Sequence, residues 1–459
     1  MSGMLLMPSN GLLTSSLEYG IVSRSFPLSG KILSGYLDAS GTRGGLGIGN
    51  PNAEFTPNIS ACSMGADGGT AKIAWGSRAG DVLFLNAPKA METGGRRSAA
   101  EVKRCSVADE HQGAVVDAVW LDVQAGWVVT GGTDARIKVW DAKNATSVWT
   151  SPQILDSVIP DPCVKVAGSA FYGYVVGVFK SGHIHIWTGF DFYRPVVSDE
   201  NVQEITIDNP IRTSKEGHGI ASLHIDSSCK QPSILVGYEN EPYFYRIQIE
   251  TSTSHVQITA FGDPDFGTTS TIVPCFRSND TEHKQYSIIF VGDHLGCISL
   301  YDWDTDPNAA NPRTNAVSPI RKLEAHPDGA TVTAIVWNGF VLASGSVRGE
   351  TRIFDGISLE LLRVFEFPIP KLRGGARMLP QFDGANEEEQ ERQRKEWVRV
   401  RFILLGPEKD SLFVGVGDRV VGWKAGPVPK YIRGVKGKNI ASWSKDRRTR
   451  GSARHLSKL

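Results

Sequence analysis

One pattern recurs along this chain and limits what it can fold into. An apolar strand meets a short polar or glycine turn, and an alternating strand follows that mostly ends in an aromatic residue. The clearest copy is VVTGGTDARIKVWD at 128–141. The others are KIAWGSRAGDVLFL (72–85), VVGVFKSGHIHIW (175–187), ILVGYENEPYFYRI (234–247), IIFVGDHLGCISLYD (288–302), VLASGSVRGETRIFD (341–355) and LFVGVGDRVVGW (412–423). Alternation of this kind marks strands, and the turns between them mark hairpins. Most copies follow a further strand-like segment: 59–64, 115–121, 165–171, 220–225, 270–276, 331–337 and 398–405.

A hairpin cannot bury its apolar face alone, so seven such units must stack on one another. Stacking also explains how 459 residues with 41% apolar composition and 49 glycines can form one architecture rather than several domains. The Trp140-Asp141 ending is that of a WD repeat, so the pattern predicts an all-β, seven-bladed WD40-type β-propeller. Six or eight blades are also compatible with it. Spacing beyond the ~40–45 residues of compact WD repeats implies long linkers. Residues 1–14 read as a lead-in, 15–430 as the propeller and 431–459 as a basic, disordered tail. The strands at 17–26 and 31–37 precede any complete repeat, while the last unit ends near Gly426 without an outer strand. The N-terminal segment is therefore expected to close the ring by pairing with the last blade. An insertion at 371–397 ends in EEEQERQRKEW (387–397), whose leading acids and following bases suit a short helix.

Charge excludes little and points to little. Lys plus Arg equals Asp plus Glu, 49 each, so no global field draws the protein to nucleic acid or membrane. The segment 430–459 is the exception, with ten basic residues and one acid (Asp446). Such a tail either solvates the chain or serves as a nuclear-targeting or anionic-surface element. The six cysteines are scattered without a CxxC pair, no stretch is apolar enough to span a bilayer, and the start lacks a basic n-region. A reduced protein of the cytoplasm or nucleus is expected, in which the glycosylation-type triplets at Asn58, Asn144 and Asn279 are chance matches.

The copy at 128–141 carries a specific side-chain set. His111 precedes its inner strand, Thr130 ends the next, Asp134 sits in the turn and Trp140 closes the third. In WD repeats these types form a buried chain from indole N–H to hydroxyl to imidazole to carboxylate, a structural role. The unit at 341–355 keeps His326 and Ser344 but has Arg348 and Phe354 at the other two positions, and the unit at 234–247 has Gly217-His218 and no Trp. Packing must then carry most of the blade stability.

No catalytic set emerges. His183 and His185 share a spacing of two but lack a third ligand, and there is no GxSxG, P-loop or dinucleotide motif. The Gly-rich 41–49 segment reads as loop. No enzyme activity, cofactor or metal is expected. A binding surface is more legible. The turn between the second and third strands of each blade falls on one rim, where Arg78, Arg136, Lys180, Arg348 and Arg419 would sit among the acids Asp81, Glu239, Asp293 and Asp418. Guanidinium groups gathered there suit phosphate or carboxylate.

The segments SSLEYGIVSRSFPLSGKILSGYLDASG (15–41) and ILLGPEKDSLFVGVGDRVVGWKAG (403–426) resemble the propeller of fungal F-box/WD-repeat proteins. That resemblance implies a substrate receptor of an SCF-type ubiquitin ligase, with protein partners captured, often in phosphorylated form, by rim arginines. Ser77-Arg78 is similar to one such position and Arg348 is a looser match. It also implies Skp1 and cullin as machinery, but an F-box, with its three helices and Leu-Pro start, does not fit before Leu12. The alternative is a general WD-repeat scaffold in a nuclear RNA-processing or chromatin complex, meeting nucleic acid through the basic tail.

Overall fold

Strand-forming alternation gives 33 strands among the described residues of the chain's computed structural model. The structure describes residues 1–7, 11–18, 20–26, 28, 31–38, 59–87, 101–156, 158–193, 201–211, 219–229, 231–250, 255–263, 265, 267–276, 287–366, 386–406, 411–417 and 419–424. The first sheet holds β1 (Gly3–Leu6), β2 (Leu12–Ser16), β3 (Ile21–Phe26) and β4 (Lys31–Asp38). The second holds β5 (Ile59–Asp67), β6 (Thr70–Ser77), β7 (Val82–Ala87) and β8 (Glu101–Arg104). The third holds β9 (Val115–Asp122), β10 (Trp127–Gly132), β11 (Ile137–Asp141) and β12 (Thr146–Thr150), and a small hairpin of β13 (Leu155–Asp156) and β14 (Ile159–Pro160) follows it.

The fourth sheet comprises β15 (Cys163–Ser169), β16 (Tyr174–Phe179), β17 (Ile184–Thr188) and β18 (Gln203–Ile207). The fifth comprises β19 (Ile220–Ile225), β20 (Ser233–Tyr238), β21 (Tyr243–Glu250) and β22 (His255–Gly262). The sixth has β23 (Thr269–Cys275), β24 (Ile288–Asp293), β25 (Cys297–Asp302) and β26 (Arg321–Glu324). The seventh has β27 (Val332–Trp337), β28 (Val341–Ser346), β29 (Thr351–Asp355) and β30 (Leu361–Phe365). A helix, α1 (Glu387–Val398), leads into the eighth sheet of β31 (Val400–Leu405), β32 (Ser411–Val416) and β33 (Arg419–Lys424).

Each sheet is an antiparallel meander. The first strands touch in sequence, β1 to β5, β9, β15, β19, β23, β27 and β31, and β31 touches β1 again. The arrangement is a β-propeller of eight sheets, which corrects the expectation of seven. Residues 1–38 are neither a lead-in nor a clasp; they form a complete four-stranded sheet of their own. The eighth sheet shows three strands among the described residues, and the N-terminal segment does not pair into it. It packs beside it instead, where Leu12 shares a cluster with Phe413 and Val420, and Arg401 Nη1 donates to Met1 O at 3.0 Å.

Glycines decide how closely the sheets approach. A Cβ on Gly76 of β6 would lie 2.4 Å from Val115 Cγ1 of β9. On Gly292 of β24 it would lie 2.6 Å from Val332 Cγ1 of β27, and on Gly345 of β28, 2.3 Å from Val400 Cγ1 of β31. Gly131, Gly237 and Gly415 meet Cys163, Ile272 and Met1 in the same way. Each is a second-strand residue facing the inner strand of the next sheet. The first sheet has no glycine in β2 (LLTSS), whereas the second strand of every other sheet carries one, although Gly177 of the fourth meets Ile137 of the preceding sheet. Hydroxyls add a register mark: Ser60 Oγ donates to Val115 O, Ser270 Oγ to Val332 O and Thr333 Oγ1 to Val400 O, each at 2.6 Å.

Second strands pack on both faces, so β16, β20 and β32 are buried throughout, whereas outer strands such as β8 and β30 are largely exposed. Continuous apolar runs therefore mark the second strands, and alternation the third. Helix α1 starts at Asn386, whose side chain accepts from Glu389 N at 3.0 Å, and carries Glu387, Glu388 and Glu389 in its first turn. The Gly-rich 41–49 segment, Gly217-His218, the insertion before Asn386 and the basic tail lie outside the described residues. No helix among the described residues is long and apolar enough to cross a membrane.

Candidate functional site

The third sheet brings His111, Thr130, Asp134 and Trp140 together, all buried. Trp140 Nε1 donates to Thr130 Oγ1 at 2.8 Å, and Thr130 Oγ1 lies 2.7 Å from His111 Nε2. An indole N–H can only donate, so the hydroxyl proton is left for Nε2, and Nδ1–H then donates to Asp134, 3.1 Å from either oxygen. Burial acts to raise the Asp134 carboxyl, but His111 and the backbone N–H groups of Gln112 and Arg136 outweigh it and hold it below the usual range. Gly132 is required here, because a Cβ would lie 2.4 Å from Asp134 Oδ1 and 2.5 Å from His111 Nδ1. Within this four-residue set the indole, hydroxyl, imidazole and carboxylate satisfy one another, so its role is structural.

The seventh sheet keeps half of this arrangement. His326 Nε2 meets Ser344 Oγ at 2.9 Å, while Nδ1 is 3.7 Å from Glu350 and has no hydrogen-bond partner. Phe354 is buried where an indole would donate. His185 is held by Glu204 at 2.7 Å and stacks on Trp187, whereas His183 lies 4.0 Å from Asp208. Among the described residues no three His, Cys, Asp or Glu side chains gather as a metal site.

Each sheet starts at its inner strand and the inner strands lie side by side around the ring, so the described second-to-third-strand turns belong to one rim. The turns carry the five basic residues into different situations. Arg78 and Lys180 are exposed, and among the described residues no side-chain partner holds them. Arg136 is half-buried and donates to Ser151 O at 2.9 Å. Arg348 is paired with Asp328 at 2.7 Å. Arg419, the first residue of β33, lies over the Trp397 ring at the end of α1, 5.0 Å from its centroid. The rim is thus not a ring of free guanidinium groups. Its open cations lie on the second and fourth sheets.

Rim acids are also occupied. Asp81 pairs with Arg104 and accepts from Ser77 Oγ at 3.0 Å. Asp293 Oδ1 caps its own turn, accepting from Leu295 N and Cys297 N at 2.9 and 2.7 Å. Glu239 is exposed, and Asp418 lies outside the described residues. Exposed apolar side chains are Val107 in the connection between β8 and β9 and, on the β13–β14 hairpin, Leu155, Val158 and Ile159. The hairpin is anchored at its base by Ile154 N to Ala135 O (2.9 Å) and Ser181 N to Asp161 Oδ1 (3.1 Å). Strands of two residues are too short to carry a periodic signal, so this hairpin is not legible from the sequence.

No family model matches the chain, and no curated protein matches it. Among solved structures it is similar to the computationally designed Ika8 protein, at 14% identity and a TM-score of 0.54, covering 92% of this chain and 96% of that one. It is also similar to Saccharomyces cerevisiae Sqt1, at 8% identity and a TM-score of 0.50, covering 80% of this chain and 82% of that one. At these identities the likeness concerns fold. The fold is a WD40-like β-propeller.

Proposed function

We propose that this propeller is a non-catalytic protein-interaction module that takes its partner on the rim of the second-to-third-strand turns, over the second, third and fourth sheets. The observation that carries this reading is the combination there of Arg78 and Lys180, exposed and unpaired among the described residues, with the exposed apolar residues Val107, Leu155, Val158 and Ile159. Exposed apolar groups rimmed by charge are what interaction sites present. Open cations favour a partner carrying carboxylates or phosphate, and Arg78 can meet either with a bidentate fork.

The narrower reading is that the captured partner is a ubiquitin-ligase substrate. It rests on the resemblance of 15–41 and 403–426 to F-box/WD-repeat propellers; 403–426 spans most of the eighth sheet, while 15–41 reaches across β3 and β4 of the first. The test is affinity purification of the full chain scored for Skp1 and cullin; their absence removes the ligase assignment and leaves the general scaffold. For the rim itself, Arg78→Glu combined with Lys180→Glu abolishes partner capture while the fold persists. Unchanged capture by that variant refutes the rim reading.

A further inference from the structure

Outer strands of the other sheets span four to eight residues, and β22, with eight, runs past the sheet edge that a four- or five-residue strand would cover. Its free edge is already used for strand pairing at one end. Phe261 forms a parallel bridge with Val317; Val317 N donates to Ala260 O at 2.8 Å and Gly262 N to Val317 O at 3.1 Å. The period of two then places the N–H and C=O of Ile258 and Val256 on the same edge, upstream of that bridge. There a groove of about 870 Å³ opens. It is lined by Tyr245 of β21 and Val256, Ile258, Thr259 and Ala260 of β22, by Thr206 to Pro210 at the end of β18, and by Pro307, Ala310 and Asn315 from the connection between β25 and β26.

We propose that this groove binds an extended peptide segment of a protein partner, which adds a strand to the edge of β22. Two features define the peptide. Pro210, Pro307, Ile258 and Val256 give apolar contact for alternate side chains, and the one charged lining residue among the described residues is Asp208, whose side chain is 98% exposed. Among the described residues no lysine or arginine lines the groove, and a peptide with a basic residue opposite Asp208 is favoured. Main-chain hydrogen bonds would supply affinity and the flanking pockets selectivity, the usual division in strand addition. One wall of the groove abuts the rim, where Asn209 donates to Ser181 O at 3.2 Å, so Ile258→Pro, which leaves Arg78 and Lys180 in place, separates this reading from the rim reading.

The test uses the full chain as bait for displayed random peptides of about ten residues, long enough to exceed a typical strand. The selected peptides are then measured against Ile258→Pro, Ile258→Thr and Asp208→Arg. Proline removes the outward N–H of an edge position, where a sheet tolerates it, and threonine keeps that N–H. The expected result is enrichment of extended sequences containing Lys or Arg, with Kd weakened about tenfold or more by Ile258→Pro, as losing a main-chain hydrogen bond and its geometry implies. Asp208→Arg weakens the same peptides, and Ile258→Thr, which trims the apolar contact but keeps the N–H, weakens them less than Ile258→Pro does. A selection without binders, or binders indifferent to both Ile258→Pro and Asp208→Arg, overturns the proposal. So does sedimentation showing that the chain self-associates through this edge, with Ile258→Pro abolishing the dimer, since the occupant is then a second copy.

Discussion

Gly345 and Val400 meet so closely that a Cβ on the glycine would lie 2.3 Å from Val400 Cγ1 and 2.7 Å from its Cβ. A β-branched side chain on a strand has little freedom to retreat. Gly345→Ala is therefore expected to destabilise the fold by about 1–3 kcal/mol, the cost of overpacking. Gly292→Ala, against Val332 Cγ1 and Cβ, should behave alike. Gly237→Ala should cost less, because it meets the far end of a flexible side chain, Ile272 Cδ1. Urea midpoints of the three variants check the order.

Thr130 links Trp140 to His111, so Thr130→Val, of similar shape, leaves a buried indole N–H and a buried imidazole nitrogen without partners. About 1–3 kcal/mol of destabilisation is expected per unsatisfied group. Ser344→Ala breaks only the contact with His326, because Phe354 stands where the indole would be, and should cost less. Equal losses in the two variants would contradict the hydrogen-bond account.

Burial pushes His326 down to about 4 from its ordinary 6.5. The unfolded chain takes up this proton near its ordinary value and the folded chain only near the lower one. Between them the unfolded state binds more protons, so stability falls as pH drops through that window. Urea midpoints at about pH 7.5 and about pH 4.5 should diverge less for His326→Asn than for the wild type.

Trp397 lies beneath Arg419, and Gly417 N donates to Arg399 O at 3.3 Å, so the last turn of α1 is tied to the eighth sheet while its first turns are exposed. Trp397→Ala is expected to speed hydrogen exchange across 387–398 and to leave the exchange of the third sheet unchanged. Faster exchange in both would mean that α1 supports the ring as a whole.

The repeat architecture was legible because its turns and second strands obey local rules. The inner strands at 115–121 and 220–225 fall on β9 and β19, and EEEQERQRKEW falls within α1. The blade count was not legible, because the first sheet lacks the second-strand glycine and places Gly3 on β1 instead, opposite Ser15. Outer strands such as EVKR and RKLE were also hidden: with little to bury, they carry no apolar period. At the rim, sequence could place Arg348 and Arg419 in turns but could not show Asp328 and Trp397 beside them. Those partners come from other turns and from the helix, contacts that no local pattern encodes.

Partner capture by the rim is tested most directly by quantitative affinity purification with the full chain, Arg78→Glu/Lys180→Glu and Arg348→Glu side by side. The account predicts that the double variant loses its protein partners and that Arg348→Glu, whose guanidinium is already paired with Asp328, retains them. Retention by the double variant, or equal loss in both, would contradict it.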